Sequence, residues 1–184
     1  EVAGYCGQVV DASVAGVESH TTGFRVALDS GLSVSSRRLL VATGLRDELP
    51  EIPGLRERWA RDVLHCPYCH GFEVRDHVLG VLGWAPGAAG YAQIIRQWSE
   101  DVVFLASDGA LTEDEREGLA ARSIAVVDGA VERVLAPDDR LLGVQLQDGR
   151  IVELDALFVP PRFVPNDALL VELADVLSLR WTSP

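Results

Sequence analysis

The chain has 184 residues, 48% of them hydrophobic, and a formal net charge of −12 at pH 7. This length allows one domain or two small ones, and the apolar content is sufficient for a packed core. The negative charge argues against nucleic acid and anionic membranes as partners. No apolar run approaches the ~20 residues of a membrane-spanning helix. We therefore expect a globular protein that binds neither nucleic acid nor a membrane.

The N-terminal part of the chain, residues 1–43, is predicted to be rich in β-strands. Short runs of strand-forming residues predict strands over residues 5–11, 23–28 and 32–35. Residues 37–42 are apolar enough for a fourth, buried strand, which would end at Gly44, where a sharp exit is possible. Residues 45–54 contain two prolines, and we interpret them as a linker between domains.

From residue 78 onward the sequence alternates between strands and helices. The pattern predicts strands over residues 78–82, 102–105 and 124–127, and helices over residues 88–98 and from Thr112 onward. Glu115 follows Thr112 by three positions, which indicates a capping box. Such a βαβαβ order predicts a parallel sheet with right-handed crossovers. Further strands are predicted over residues 131–135, 142–146 and 151–154, as a β-meander, and over residues 157–159, inside the sheet.

Two of the three cysteines lie in one tetrapeptide, Cys66-Pro67-Tyr68-Cys69, between His65 and His70. A redox dithiol is one interpretation, because a helix that begins at such a loop lowers the pKa of one thiol. Cys-x-x-Cys-His also matches a haem-attachment motif. Zinc binding by both cysteines and one or both histidines is a third interpretation, and two buried, inert cysteines are the fourth.

The surroundings of this motif favour the redox dithiol. Haem attachment requires an oxidising export compartment, but no signal-like segment is visible and the chain contains no methionine as a second axial ligand. A structural zinc site usually has a second ligand pair, and none is present in the sequence. The tetrapeptide also occurs in glutaredoxins, but there a long helix follows, whereas here a strand begins within nine residues of Cys69. We interpret His65 as a packing residue and Cys6 as a small buried one.

The turn after residues 78–82 is where a dinucleotide would lie. In the fingerprint G-x-G-x-x-G/A, Gly83 and Ala88 match the outer positions, but Ala85 occupies the middle one. The helix N-terminus still offers backbone amides to an anion, so these residues and Gly87 are candidate cofactor ligands. Asp108 is the candidate for the acidic residue expected about 20 positions further on. A turn of this type that binds no nucleotide is the alternative.

The order of these features resembles the thioredoxin-reductase branch of the FAD-dependent pyridine nucleotide-disulfide oxidoreductases. Ala42-Thr43-Gly44 ends a strand, and Pro50-x-Ile52-Pro53-Gly54, the CPYCHGFE loop, a nucleotide-type βαβ unit and a β-meander follow. Residues 158–166 are similar to the return hinge of the family, which closes with Pro-Asn. CPYCHGFE is most similar to a group that includes gliotoxin-type dithiol oxidases, in which His follows the second Cys.

The resemblance implies an α/β fold in three parts. Residues 1–48 would be a partial, β-rich FAD-domain segment, and residues 49–165 a Rossmann-like NAD(P)-binding-like domain (βαβαβ plus a three-stranded β-meander) that carries the Cys-x-x-Cys loop. Residues 166–184 would begin the return to the FAD domain. The family's two FAD motifs, one near each end, are not in these 184 residues, so we expect a central segment with an incomplete FAD site.

The same resemblance implies roles for individual residues. Cys69 would be the thiol nearest FAD, and Cys66 the interchange thiol that meets the sulfur substrate. His70 would be the general acid/base. Thr43 and Gly44 would belong to the FAD site.

Three functions remain as hypotheses. A pyridine nucleotide reduces FAD, and the cysteine pair then reduces a small-molecule or protein disulfide; alternatively, a dithiol substrate reduces the pair, and oxygen accepts the electrons. The third is a non-catalytic domain or remnant. Ala85, the absence of an arginine cluster for a 2′-phosphate and Arg162 in place of a hinge glycine leave NADPH, NADH or no nucleotide open. The resemblance further implies a cytoplasmic homodimer, and we expect no metal.

Overall fold

The computed structural model describes residues 2–107, 111–169, 171 and 173. Contacts divide the chain into a first unit, residues 1–46 with 164–184, and a second unit, residues 47–163. These divisions lie two residues from the boundaries expected after residues 48 and 165. The assignment of the units to an FAD domain and a nucleotide-binding domain stays a prediction.

The first unit contains a three-stranded antiparallel sheet in the order β1-β2-β3. The strands are β1 (Val14–His20), β2 (Gly23–Leu28) and β3 (Ser33–Ser36). The predicted strands over residues 23–28 and 32–35 are confirmed, but the one over residues 5–11 is wrong. A tight turn between His20 and Gly23 pairs β1 directly with β2. Residues 14–20, rather than residues 5–11, therefore form the strand next to β2.

Residues 37–42 do not form the fourth, buried strand that their apolar sequence predicts. They have no regular structure, and the Leu40 side chain is 90% exposed. A strand needs a neighbour for its backbone hydrogen bonds, and no segment of the described chain pairs with them. Cys6, which was expected to be buried, is exposed, because it follows a short 3-10 helix (Val2–Tyr5) in a segment that lies outside the sheet. Strand β4 (Leu45–Glu48) then lies within the predicted linker.

The second unit combines a five-stranded parallel sheet with an antiparallel meander, as the sequence predicted. The parallel sheet has the order β5-β12-β6-β7-β8 and consists of β5 (Val63–Leu64), β6 (Leu79–Gly83), β7 (Val102–Ala106), β8 (Ala125–Asp128) and β12 (Ala156–Phe158). The meander consists of β9 (Val131–Leu135), β10 (Gly143–Leu146) and β11 (Ile151–Glu153). The helices are α1 (Pro67–His70), α2 (Ala88–Ile95) and α3 (Glu113–Ala120). The last strand, β13 (Arg162–Pro165), pairs with β4 where the chain passes between the units.

The parallel sheet is covered on both faces, which explains why β6 is apolar at every position and fully buried. Successive side chains of a strand point to opposite faces. Val81 and Phe104 therefore pack with α2 and α3, whereas Leu82 and Leu105 pack with the meander. The unit thus has helices, sheet and meander in three layers, and the carboxyl ends of β5 and β6 lead into the cysteine loop and the glycine turn.

The predicted capping box at the start of α3 is confirmed. The Glu115 amide donates to the Thr112 hydroxyl at 3.3 Å, and the Thr112 amide donates to the Glu115 carboxylate at 2.9 Å. Such a cap contributes about 1 kcal/mol to helix stability. Because it depends only on residues three apart, the sequence predicts it without any knowledge of tertiary contacts.

A buried arginine connects the segment before the cysteine loop to the meander. Arg58 is only 6% exposed, and its guanidinium donates to the carboxylates of Asp62 at 2.8 Å and Asp139 at 2.6 Å. Asp62 also accepts the Leu141 amide at 3.0 Å. Burial raises the pKa of Asp62, but the hydrogen bonds from Arg58 and the Leu141 amide outweigh it, so the pKa lies below its usual value.

Candidate active site

The cysteine motif forms a single helical turn directly after β5. Cys66 is the N-cap of α1, with an extended backbone (φ −98°, ψ 106°), and Pro67 occupies the first helical turn. Proline suits this position because its fixed φ is helical and its missing N–H would have no helical partner. The backbone amide of Cys69 donates to the Cys66 sulfur at 3.3 Å. The loop therefore brings both sulfurs to the start of one short helix.

The two thiols have opposite pKa shifts. A hydrogen bond from the Cys69 thiol lowers the pKa of Cys66, and the Cys69 and Tyr68 amides lower it further, against the opposing effect of burial. The same thiol hydrogen bond raises the pKa of Cys69. Cys66 is half-buried and Cys69 is exposed, and both are free thiols. Cys66 is thus the thiol that ionises first and the better nucleophile near neutral pH.

His70 follows Cys69 at the end of α1 and pairs with Glu73. Its Nδ1 lies 3.3 Å from Oε2 of Glu73, and the histidine side chain is 35% exposed. A carboxylate on Nδ1 orients the imidazole and leaves Nε2 as the nitrogen that can exchange a proton. The arrangement is suited to a proton donor and acceptor beside the thiol pair.

Aromatic side chains hold the loop on both sides. His65 stacks on Trp59 at 5.7 Å between ring centroids and meets Phe163 edge-on at 6.2 Å, which is the packing role expected for it. On the other side, a Cβ atom on Gly71 would lie 2.6 Å from Cδ1 of Trp98. The glycine after His70 is therefore required by the close approach of the indole.

Gly83 and Gly87, in the turn after β6, have different surroundings. A Cβ on Gly83 would lie 2.5 Å from the Phe104 ring, so packing against β7 explains this glycine. Gly87 is the N-cap of α2, has φ +81° and has no side-chain cap, and a Cβ there would meet nothing within 4 Å. The space beside Gly87 is thus open at the N-terminus of α2, which fits the approach of a nucleotide phosphate, although the Ala88 amide already donates to the Ala85 carbonyl at 3.3 Å.

The remaining residues of the predicted nucleotide site take up different positions. Ala88 is buried in the core, whereas Ala85 is half-buried in the turn. Trp84, beside it, donates its indole N–H to the Pro160 carbonyl at 2.8 Å and packs against the meander side of the core. Asp108 lies outside the described residues.

Thr43 and Gly44 form three hydrogen bonds with Asn166 within the first unit. The Thr43 hydroxyl donates to the Asn166 carbonyl at 2.5 Å, and the Asn166 side-chain amide donates to the Thr43 carbonyl at 3.1 Å. The Asn166 backbone amide donates to the Gly44 carbonyl at 3.0 Å, and Gly44 has φ +70°, which glycine adopts without strain. The role of Thr43 and Gly44 in a flavin site stays a prediction.

The described ranges contain neither a candidate metal-ligand group nor a candidate membrane-spanning helix. Within residues 2–107, 111–169, 171 and 173, no group of three His, Cys, Asp or Glu side chains is arranged to hold a metal ion. No helix of this part of the chain has the length and apolarity to span a bilayer.

Comparisons with known proteins give the family relationship. No protein-family model matches the chain. The solved structure of HlmI is 49% identical with a TM-score of 0.86, covering 93% of this chain and 55% of HlmI. An oxidoreductase structure from Agrobacterium tumefaciens is 35% identical with a TM-score of 0.73, covering 84% of this chain and 51% of that one. Thioredoxin reductase tcpT of Claviceps purpurea is 27% identical over 154 residues, 78% of this chain and 47% of that protein.

The chain is thioredoxin-reductase-like. The resemblance read from the motif order is therefore confirmed at the level of sequence and fold. This thioredoxin-reductase-like chain spans about half the length of the proteins it matches, 47% of tcpT and 55% of HlmI.

The sequence analysis assigned no individual role to three residues of the thioredoxin-reductase-like chain. Glu73 pairs with His70, and its spacing of three positions is the signal that could have indicated it. Asn166 pairs with Thr43 across 123 positions, and the hydroxyl of Tyr91 donates to the His65 carbonyl from α2. Neither of these two contacts has a local sequence signal, because the fold alone brings the partners together.

Proposed function

We propose that the protein carrying this chain is a flavin-dependent dithiol/disulfide oxidoreductase that passes two electrons between FAD and the Cys66–Cys69 pair, and on to a disulfide substrate. The observation that carries the proposal is the N-cap geometry of α1, in which the Cys69 amide donates to the Cys66 sulfur at 3.3 Å. The lowered pKa of Cys66 and the raised pKa of Cys69 agree with Cys66 as the nucleophile. The names of the thioredoxin reductase relatives support the same class of reaction.

The geometry accounts for the thiol steps. The Cys66 thiolate attacks one sulfur of the substrate disulfide, which forms a mixed disulfide and releases the first substrate thiolate. Cys69 then loses its proton and attacks the Cys66 sulfur, which releases the second substrate thiolate. The substrate gains two electrons, and a Cys66–Cys69 disulfide forms.

His70 would manage the protons of these steps. It takes the proton that Cys69 loses and gives a proton to a departing substrate thiolate. Glu73 pairs with its Nδ1, which leaves Nε2 available for the proton exchange. His70 is thereby the general acid/base, in agreement with the role implied by the family resemblance.

The cofactors of the proposal are FAD and NADPH or NADH. Bound FAD supplies two-electron transfer between a nicotinamide and the cysteine pair. The N-terminal turn of α2 at Gly87 would hold the nucleotide phosphate, and Thr43 and Gly44 would border the flavin.

A second candidate function reverses the electron flow. A dithiol substrate reduces the Cys66–Cys69 disulfide, and oxygen is the final two-electron acceptor, so the products are a substrate disulfide and hydrogen peroxide. Ala85 favours this candidate, because a methyl group at the middle glycine position restricts the approach of a pyrophosphate. In either direction the substrate is a small-molecule or protein dithiol or disulfide, and we further propose a cytoplasmic homodimer.

The test is an anaerobic visible spectrum of the full-length natural protein, before and after addition of NADPH or NADH. Bleaching of a flavin band by either nucleotide supports the reductase. A band that ignores both nucleotides and bleaches with a dithiol supports the oxidase. Absence of a flavin band contradicts both and leaves a non-catalytic protein.

A matched pair of variants tests the role of the cysteines. Cys69→Ser should abolish disulfide turnover in either direction, because no intramolecular disulfide can form. Cys6→Ser serves as the control, since Cys6 is exposed and in the other unit, and it should retain turnover. Turnover by Cys69→Ser at the level of the control would overturn the proposed function.

A further inference from the structure

Helix α2 and the turn after it contact the cysteine loop at both of its ends. The Tyr91 hydroxyl donates to the carbonyl of His65, the residue directly before Cys66. Trp98 lies against Gly71, the residue directly after His70. Both thiols and His70 therefore lie between two contacts made by one segment, and neither contact involves a reacting atom.

Two contacts fix the position of Tyr91. Its ring meets Phe158 of β12 edge-on at 6.4 Å between centroids, and its backbone amide donates to the Gly87 carbonyl at 3.0 Å. Burial, and then the negative charge of the Cys66 thiolate, raise the pKa of Tyr91. The hydroxyl consequently keeps its proton at neutral pH, and the phenol lies within electrostatic reach of the Cys66 sulfur.

The hydrogen bond acts on the peptide group that precedes Cys66. A peptide group is planar, so fixing the His65 carbonyl oxygen also fixes the direction of the Cys66 N–Cα bond. From this bond Cys66 takes the extended N-cap conformation in which its sulfur accepts a hydrogen bond from the Cys69 amide at 3.3 Å. Without the Tyr91 hydroxyl, the His65 carbonyl loses its side-chain hydrogen-bond donor. The backbone at Cys66 can then move away from its N-cap conformation.

We propose that Tyr91 is a positioning residue for Cys66, and that its hydroxyl holds the His65–Cys66 peptide in the orientation that activates the interchange thiol. The inference rests on the proposed function, because it concerns the same thiol pair. It assigns to α2 a second task beside the one suggested by its open N-terminal turn.

The experiment compares thiol alkylation in the full-length protein carrying Cys6→Ser and Cys69→Ser, with and without Tyr91→Phe. In this background Cys66 is the remaining cysteine of the sequence described here, and its alkylated peptide is quantified by mass spectrometry. The iodoacetamide rate is measured over a range of pH. We expect Tyr91→Phe to move the midpoint of the profile to higher pH and to slow alkylation at neutral pH about threefold or more.

Tyr68→Phe is the matched control, because it deletes the hydroxyl of an exposed tyrosine in the same loop and should leave the profile unchanged. An identical profile for Tyr91→Phe and its parent would overturn the positioning role. Failure of Tyr91→Phe to fold, checked by circular dichroism, would also overturn it, since the hydroxyl would then be structural.

The same data separate this inference from the proposed function. An ordinary thiol midpoint for Cys66 in the parent background, equal to that of Cys6 in a Cys66→Ser/Cys69→Ser protein, contradicts the proposed function itself. A lowered midpoint in the parent that Tyr91→Phe does not move contradicts only the role of Tyr91.

Discussion

The Cys66 sulfur accepts a hydrogen bond from the Cys69 amide at 3.3 Å, and the neighbouring Cys69 thiol lowers the pKa of Cys66. One cysteine therefore stabilises the ionised form of the other, and the pair is asymmetric before any substrate arrives. The asymmetry arises because Cys66 is the N-cap of α1 and Cys69, three positions later, lies on the same face of that single helical turn.

This relationship predicts the effect of deleting the donor. Cys69→Ala removes the thiol hydrogen bond that is the largest cause of the lowered pKa of Cys66, so that pKa should rise. Cys69→Ser keeps an O–H donor and should raise it less. The ultraviolet absorbance of the thiolate, followed against pH in a Cys6→Ser background, measures both. Equal titration curves for the two variants would contradict the assigned donor.

A second prediction concerns the carboxylate beside His70. Glu73→Gln removes the charge that orients the imidazole through Nδ1, so kcat should fall about threefold to tenfold with little change in KM. His70→Ala should cost more, because it removes the acid/base itself. Glu57→Gln, at an exposed residue of the 3-10 helix Arg56–Arg58, is the control. An unchanged kcat in Glu73→Gln would show that the pair does not act in proton transfer.

A third prediction follows from the contact between Gly71 and Trp98. Gly71→Ala places a methyl group 2.6 Å from Cδ1 of Trp98, and overpacking of this kind destabilises a fold by about 1–3 kcal/mol. Gly90→Ala is the matched control, since a Cβ at Gly90 in α2 meets nothing within 4 Å. It should stabilise the protein by about 0.5–1 kcal/mol through helix propensity. Urea denaturation measures both, and equal midpoints would contradict the close approach of the indole.

The fourth prediction is a loss of stability in acid through Asp62. Its folded pKa is lowered, so its contribution is present above the ordinary carboxyl pKa of about 3.9 and is lost as pH falls through the lower folded value. Asp62→Asn should lose about 1–3 kcal/mol near neutral pH, because Arg58 and the Leu141 amide lose their carboxylate. The variant should also show a shallower fall in acid than the natural protein.

Urea denaturation at several pH values measures the Asp62 effect. Asp148→Asn is the control, because Asp148 also has a lowered pKa, but its pair with Arg150 is exposed and screened by water. If the free energy of unfolding fell equally with pH in Asp62→Asn and in the natural protein, the loss of stability in acid would come from other carboxylates.

Local patterns in the sequence predicted much of the second unit. The capping box at Thr112, the apolar run of β6 and the helical turn at Cys66 depend on neighbours within a few positions, so they are readable without a fold. Residues 37–42 show the limit of such patterns. Their apolar side chains predict burial, but whether a strand forms depends on a partner for its backbone, and none of the described segments pairs with it.

The sequence by itself determined the α/β order, the redox interpretation of Cys66 and Cys69, and the thioredoxin-reductase resemblance. Only the tertiary structure decided which residues far apart in the chain contact one another. Tyr91 reaches the His65 carbonyl across 26 positions, and Thr43 meets Asn166 across 123 positions. The physical reason is that a side-chain hydrogen bond requires two groups within about 3 Å. For residues far apart in the chain, that distance is set by the packing of strands and helices, and local sequence patterns do not report it.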